Sequence, residues 1–196
     1  AGAGREVFIG GSQTTLEDCY EPSLVPDDGT ALAEHRRWSQ TLAEGGADFI
    51  FLETFNTSRE AKVALQAAKE AGLPAAVSFV GDGEGRLLSG ESFAEAVAAV
   101  EPFQPFAILI NCMQPADITA AIAVLRKATT LPIGAYGQGL GKPHEDQGWL
   151  FEGANNGVEQ YCNHVGAWLK AGATLVGGCC GTNPTYIEAI KRLTTP

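Results

Sequence analysis

Six short, continuous apolar runs punctuate the chain: VFIGG (7–11), DFIFLE (48–53), AAVSFV (75–80), FAILIN (106–111), PIGAYG (132–137) and TLVGG (174–178). A strand covered on one face alternates apolar with polar residues, whereas a strand covered on both faces reads as an uninterrupted apolar run. Each run is therefore predicted to be a strand buried between two layers. The stretches between the runs carry helical periodicity. Ile118, Ala121, Ile122 and Leu125 follow the spacing of one helix face, as do Val158, Tyr161, Cys162 and Val165. Gly46, Gly72 and Gly172 stand just ahead of three of the runs, where a left-handed residue closes a helix without a Cβ penalty. Pro184, with Thr182 or Asn183 as its cap, opens the last helix.

Strand and helix alternating six times predict right-handed βα units and a parallel sheet, an α/β fold. A (β/α)8 barrel takes about 250 residues, roughly 30 per unit. The 196 residues present supply six of its eight units. The expected architecture is thus a single TIM-barrel-type domain over 1–196 that lacks its first two βα units, the sequence starting almost directly with a strand and without an initiator methionine. A second copy of the chain or a missing N-terminal segment would complete such a barrel. An open doubly wound sheet is the structural alternative. The polar, Gly-, Pro- and Asp-rich stretches 17–30 and 138–157 are expected to be loops.

With 13 basic against 23 acidic side chains the formal charge is -10, which repels nucleic-acid phosphates and anionic lipid alike. No apolar run approaches the roughly 20 residues needed to span a bilayer, and residues 1–4 lack the pattern of a secretory signal. A cytoplasmic chain without nucleic-acid or membrane partners is expected. Five cysteines, two of them adjacent, suit a reducing compartment and metal-binding or reactive thiols better than a disulfide framework. Cys179 and Cys180 follow TLVGG, and Cys112 follows FAILIN, so all three fall at the C-terminal ends of predicted strands. In a parallel barrel those ends share the rim where such folds place their chemistry. Three thiolates can hold Zn²⁺ and leave one tetrahedral position for a substrate. The competing readings are buried free cysteines, a vicinal disulfide, a phosphate site on the Gly177–Gly178 turn, or a non-catalytic metal or thiol store. Cys162 lies on a helical stripe and reads as core, Cys19 carries no assigned role, and His35, His144 and His164 lack the spacing of a zinc helix and read as surface or packing residues.

INC (110–112), FLETFNTSREA (51–61), GRLLSG (85–90) and GGCCGTNPTYI (177–187), in that setting, resemble the homocysteine S-methyltransferase family, which includes the homocysteine-binding module of cobalamin-dependent methionine synthase and the betaine and S-methylmethionine enzymes. The resemblance implies a (β/α)8 barrel that methylates homocysteine to methionine, with zinc held by Cys112, Cys179 and Cys180. Glu53 of the ETF motif would hold the substrate ammonium group, with Asn111 and Gln138 as further substrate-binding positions. Gln138 stands where relatives commonly carry a Pro-Asn pair. The family's first two strands, one of which adds an acidic residue beside the amino-acid site, have no counterpart in this chain. The methyl donor implied is betaine, S-methylmethionine, S-adenosylmethionine or methylcobalamin.

Overall fold

A computed structural model of the chain describes residues 6–139, 142–146, 148–150 and 157–194. The elements run in the order β1 (Gly10–Thr14), α1 (Asp28–Glu44), β2 (Phe49–Phe55), α2 (Ser58–Glu70), β3 (Ala75–Phe79), α3 (Phe93–Val100), β4 (Ala107–Asn111), α4 (Pro115–Ala128) and β5 (Ile133–Gly137). A short hairpin follows, β6 (Lys142–His144) and β7 (Gly148–Leu150), and then α5 (Val158–Lys170), β8 (Ala173–Gly178) and α6 (Pro184–Thr194). Six strands pair in parallel in the order β1-β2-β3-β4-β5-β8. Their spatial order is their chain order. A doubly wound sheet reverses direction at a switch point, and this one does not, so the barrel-type winding is the one adopted. Among the described residues β1 and β8 are edges and do not pair with each other.

One face of the sheet packs under the helices. Ile50, Leu52, Val77, Phe79, Ile108, Ile110 and Ile133 meet Ala61, Ala64, Leu65, Ile118, Ile122, Leu125, Tyr161, Val165 and Trp168 in one continuous core. Each large apolar side chain fully buried there contributes about 1.5–3 kcal/mol. The other face is smaller and aromatic: Ala76, Ala107, Leu109 and Tyr136, flanked by Phe51 and Cys179. It bounds an open cavity of about 610 Å³. Apolar cover on both faces explains why β3, β4 and β5 read as unbroken hydrophobic runs.

Local signals placed the ends of these elements. Gly46, Gly72 and Gly172 adopt φ of 83°, 77° and 100° directly behind α1, α2 and α5. Asn183 accepts the amide of Thr185 at 3.0 Å and so starts α6 as expected from its position before Pro184. Departures from expectation are instructive. The first strand lies at Gly10–Thr14, three residues later than the VFIGG run, and Val7, Phe8 and Ile9 are exposed. The strand is chosen by its polar pairing: Gln13 is buried and its amide meets the ring of His35 at 2.7 Å and Ser39 at 3.0 Å. The stripe of α5 runs through Tyr161, Val165 and Trp168, which leaves Cys162 half-buried at its margin rather than in the core. Part of the predicted 138–157 loop is the β6–β7 hairpin, and residues 140, 141, 147 and 151–156 lie outside the described residues.

Candidate functional site

The carboxyl ends of the strands carry the chemistry, and two of them are bent into place by backbone that side chains rarely adopt. Thr54 and Cys112 have φ of 63° and 56°. A left-handed residue without glycine costs about 1–2 kcal/mol, and a β-branched one is a clear outlier. Both are clamped by neighbours. Asn111, fully buried, accepts the Thr54 amide at 3.1 Å and the Ser78 hydroxyl at 2.7 Å, and donates to the Thr54 hydroxyl at 2.7 Å. Gln138 donates to the Cys112 carbonyl at 3.0 Å, accepts from Gln114 at 2.9 Å, and ties its own amide to the Met113 carbonyl at 2.9 Å. The Cys112 amide meets the Tyr136 carbonyl at 3.2 Å.

The turn after β8 is fixed as tightly. The Cys179 amide donates to the Gly137 carbonyl at 2.9 Å, Gly139 donates to the Cys180 carbonyl at 2.8 Å, and the Thr182 hydroxyl caps the Cys179 carbonyl at 2.6 Å. A Cβ on Gly178 would stand 2.5 Å from that hydroxyl, which accounts for the glycine by close approach alone. The buried Tyr161 hydroxyl lies 2.8 Å from the Gly177 carbonyl and 2.9 Å from the Gly137 amide, so it joins the ends of β5 and β8.

These restraints bring three sulfurs together. Cys112 Sγ lies 2.9 Å from Cys179 Sγ and 3.6 Å from Cys180 Sγ, and all three atoms fall within 4.8 Å of one another. Two sulfurs on one zinc, each at about 2.3 Å in tetrahedral geometry, stand about 3.8 Å apart. The three-thiol donor set suits a soft cation; the Cys112–Cys180 spacing is near that value, and the Cys112–Cys179 pair would open by about 0.9 Å to receive it. The thiols polarise each other: the Cys179 hydrogen bond draws the Cys112 thiol down to about 6 against its burial, with Tyr20 and Cys180 assisting. Cys179 is pushed far up by that same bond and by burial, and Cys180 is raised by burial and by the Cys112 charge.

Glu53 lies near the end of β2 and lines the cavity together with Tyr136, Gly177 and Gly178. Its carboxylate accepts the Ser12 hydroxyl at 2.7 Å. Of the other two expected substrate-binding residues, Asn111 is bonded to Thr54 and Ser78, and Gln138 to the Cys112 carbonyl.

The segment between β1 and α1 adds residues that sequence reasoning does not reach. Burial, followed by its interaction with the Cys112 sulfur, raises the Tyr20 phenol. Cys19 is raised by burial and then by the Cys112 charge, which places it near the cluster although it carried no role by sequence. The segment is moored from below: Glu60, fully buried and 3.2 Å from the His35 ring, accepts the Leu16 amide at 2.9 Å, and Asn56 donates to the Asp18 carbonyl at 3.3 Å. His35 is thus a packing residue with a specific polar task. No sequence spacing links 20 to 112, and only the strand order reveals the contact.

The fold and site together define an α/β protein of the barrel type with a three-thiol cluster at the carboxyl rim of its sheet. The chain belongs to the homocysteine S-methyltransferase family, whose profile matches residues 2–194. It is 37% identical over 164 residues to a selenocysteine Se-methyltransferase of Brassica oleracea var. italica, covering 81% of this chain and 47% of that one. It is 33% identical over 193 residues to homocysteine S-methyltransferase 2 of Arabidopsis thaliana, covering 94% and 58%. The apo form of the Escherichia coli homocysteine methyltransferase MmuM superimposes with a TM-score of 0.77 at 25% identity, over 95% of this chain and 62% of that one. Its metallated form gives a TM-score of 0.80 at 24% identity. The chain therefore spans about half the length of the curated relatives it matches. Among the described residues no helix is long and apolar enough to cross a membrane.

Proposed function

We propose that this chain carries a zinc-dependent site that transfers a methyl group to the thiol of homocysteine, giving methionine. The observation that carries the reading is the meeting of three sulfurs from two separate strand ends, 2.9 and 3.6 Å from Cys112, in a member of this family. Zinc held by Cys112, Cys179 and Cys180 would keep a bound alkyl thiol, whose ordinary pKa is about 8.5, in its thiolate form at neutral pH. Glu53 provides the opposite charge for the ammonium group of the amino acid. Asn111 holds Thr54 next to Glu53, and Gln138 holds the Cys112 carbonyl, so both keep the site in shape for the amino acid they border. In the transfer, a sulfur lone pair forms the new S–CH3 bond, the bond from methyl to the donor heteroatom breaks with its electron pair leaving on the donor, and the thiol proton is released to solvent.

The test is made on the purified chain: bound zinc is quantified, and methionine formation is followed with homocysteine and, in turn, betaine, S-methylmethionine, S-adenosylmethionine and methylcobalamin. About one zinc per chain and turnover with one donor are expected. A chain that holds no zinc and forms no methionine with any of the four overturns the proposal. Glu53→Gln removes the charge while keeping the shape, and should weaken homocysteine binding by about 2–3 kcal/mol, thirtyfold or more.

The proton inventory of the cluster makes a separate prediction. With Cys112 lowered to about 6 and Cys179 and Cys180 raised, one of the three thiols is ionised at pH 7. Zinc requires thiolates, so its uptake should displace about two protons at neutral pH and should tighten as pH rises. Calorimetry in buffers of different ionisation enthalpy reads the number directly. Uptake without proton release would place the metal on other ligands.

A further inference from the structure

Tyr136 is 6% exposed, and its hydroxyl has no hydrogen-bond partner. It projects from β5 to the inner face of the sheet, 5.4 Å from Phe51 between ring centroids, in the same cluster as Cys179. There it lines the cavity with Glu53, Gly177 and Gly178. Two polar groups lie near the phenol without meeting it in hydrogen-bond geometry, and both are engaged elsewhere. Ser78 gives its proton to Asn111 at 2.7 Å, and Glu53 accepts from Ser12 at 2.7 Å. Burial, followed by the Glu53 charge, raises the phenol well above its ordinary range, so it stays protonated.

A buried hydroxyl without a partner is a rare and unfavourable arrangement in a folded chain. A phenylalanine would fill the same volume without that penalty. Phe51 and Leu109 give the hydroxyl no partner, and the nearby Ser78 and Glu53 are engaged with Asn111 and Ser12, which leaves it unmatched at the acidic end of the cavity.

We propose that the Tyr136 hydroxyl is a specificity group for the amino-acid substrate, accepting a hydrogen bond from its ammonium group while directing its own proton toward the carboxylate of Glu53. The ammonium cation is then recognised by two oxygens on adjacent walls, one charged and one neutral. The inference rests on the homocysteine reading given above and extends it to a residue on β5. It implies that thiols lacking the α-amino group are rejected partly because they leave this hydroxyl unmatched.

Tyr136→Phe tests it, with calorimetric affinities for homocysteine and for 4-mercaptobutanoate, which lacks only the amino group, and with thermal melting of the ligand-free chain. Homocysteine should bind about tenfold more weakly to the variant, the loss of one hydrogen bond to a charged group. Affinity for 4-mercaptobutanoate should be unchanged, and the melting temperature should hold or rise, because the variant removes an unpaired hydroxyl. Equal homocysteine affinity in parent and variant overturns the assignment. So does a matching loss for the des-amino thiol, which would mark a packing effect, or a fall of several degrees in melting temperature, which would mark a structural partner. Failure of the parent chain itself to bind homocysteine in the presence of zinc overturns the functional reading and the Tyr136 assignment with it, a result distinct from the others.

Discussion

Replacing Cys112 by serine is expected to weaken zinc binding by a hundredfold or more while leaving the fold intact. Zinc held by four good ligands is bound by about 10–16 kcal/mol, so each thiolate accounts for roughly 3 kcal/mol, and a serine hydroxyl stays protonated where a thiol ionises. Cys112 is the hub, since the two close sulfur contacts, 2.9 Å to Cys179 and 3.6 Å to Cys180, converge on it. Its removal also takes away the anion that Tyr20 and the neighbouring thiols stabilise. Serine is close in volume, so circular dichroism and the melting transition of the metal-free chain should match the parent. Cys162→Ser is the control, because Cys162 sits half-buried on α5 away from the cluster. Competition with a chromophoric chelator measures the affinities. If Cys112→Ser binds zinc as tightly as the parent, the three sulfurs do not share an ion, and the functional proposal loses its foundation.

Much of this site was legible because its residues sit at strand ends, and strand ends are set by strong local signals. The run ending at Asn111 is buried on both faces. The run ending at Gly178, although its strand is an edge left partly exposed, still carries enough apolar and β-branched residues for the sequence to locate both ends to within a residue, and Cys112, Cys179 and Cys180 follow directly. Glu53 is legible for the same reason, as a charge near the end of FIFLE. The first strand was misplaced because its inward residue is Gln13, held by His35 and Ser39 rather than by apolar contact. Hydropathy is blind to a buried polar network that satisfies itself, and Val7–Ile9 supplied a false apolar signal just ahead of it. Tyr20 and Tyr136 were missed for a different reason. Their meaning depends on which strand neighbours which, and β5 meets β4 and β8 only through pairing of distant segments. Asn111 shows a further limit: its position at a strand end marks it as a site residue, while its orientation, set by Thr54 and Ser78, is a property of the assembled sheet.

The strained residues at the rim connect stability to function. Thr54 and Cys112 each hold an unfavourable backbone conformation, and they flank the functional groups, one adjacent to Glu53 and the other itself a sulfur donor. Strain of this kind persists only where the surroundings over-determine it. Asn111 grips Thr54 with its side chain and immediately precedes Cys112 in the chain, so the two strained positions meet at one residue. One buried amide thus ties the end of β2, which carries Glu53, to the strand that delivers Cys112, while Gln138 and the bonds of the Cys179–Cys180 turn hold the sulfurs.

Asn111→Ala should accordingly be among the most destabilising single changes in the chain. It leaves the Thr54 amide, the Thr54 hydroxyl and the Ser78 hydroxyl without their buried partner, since all three bond the Asn111 side chain at 2.7–3.1 Å. Each buried group stripped of its partner loses about 1–3 kcal/mol. Some of these groups will recover water at the rim, so a total of about 3–5 kcal/mol is expected, a large share of the roughly 5–15 kcal/mol that holds a typical domain folded. Urea unfolding measures it. Ser78→Ala, which removes only one of the three bonds, should lose about 1 kcal/mol and calibrates the scale. The alanine variant should also bind zinc more weakly, because Asn111 directly precedes Cys112 and its anchorage to Thr54 and Ser78 fixes the end of β4 from which that sulfur projects. Were Asn111→Ala to unfold at the same urea concentration as the parent and keep its zinc affinity, the strained rim would be self-supporting, and Asn111 would be available for direct contact with substrate.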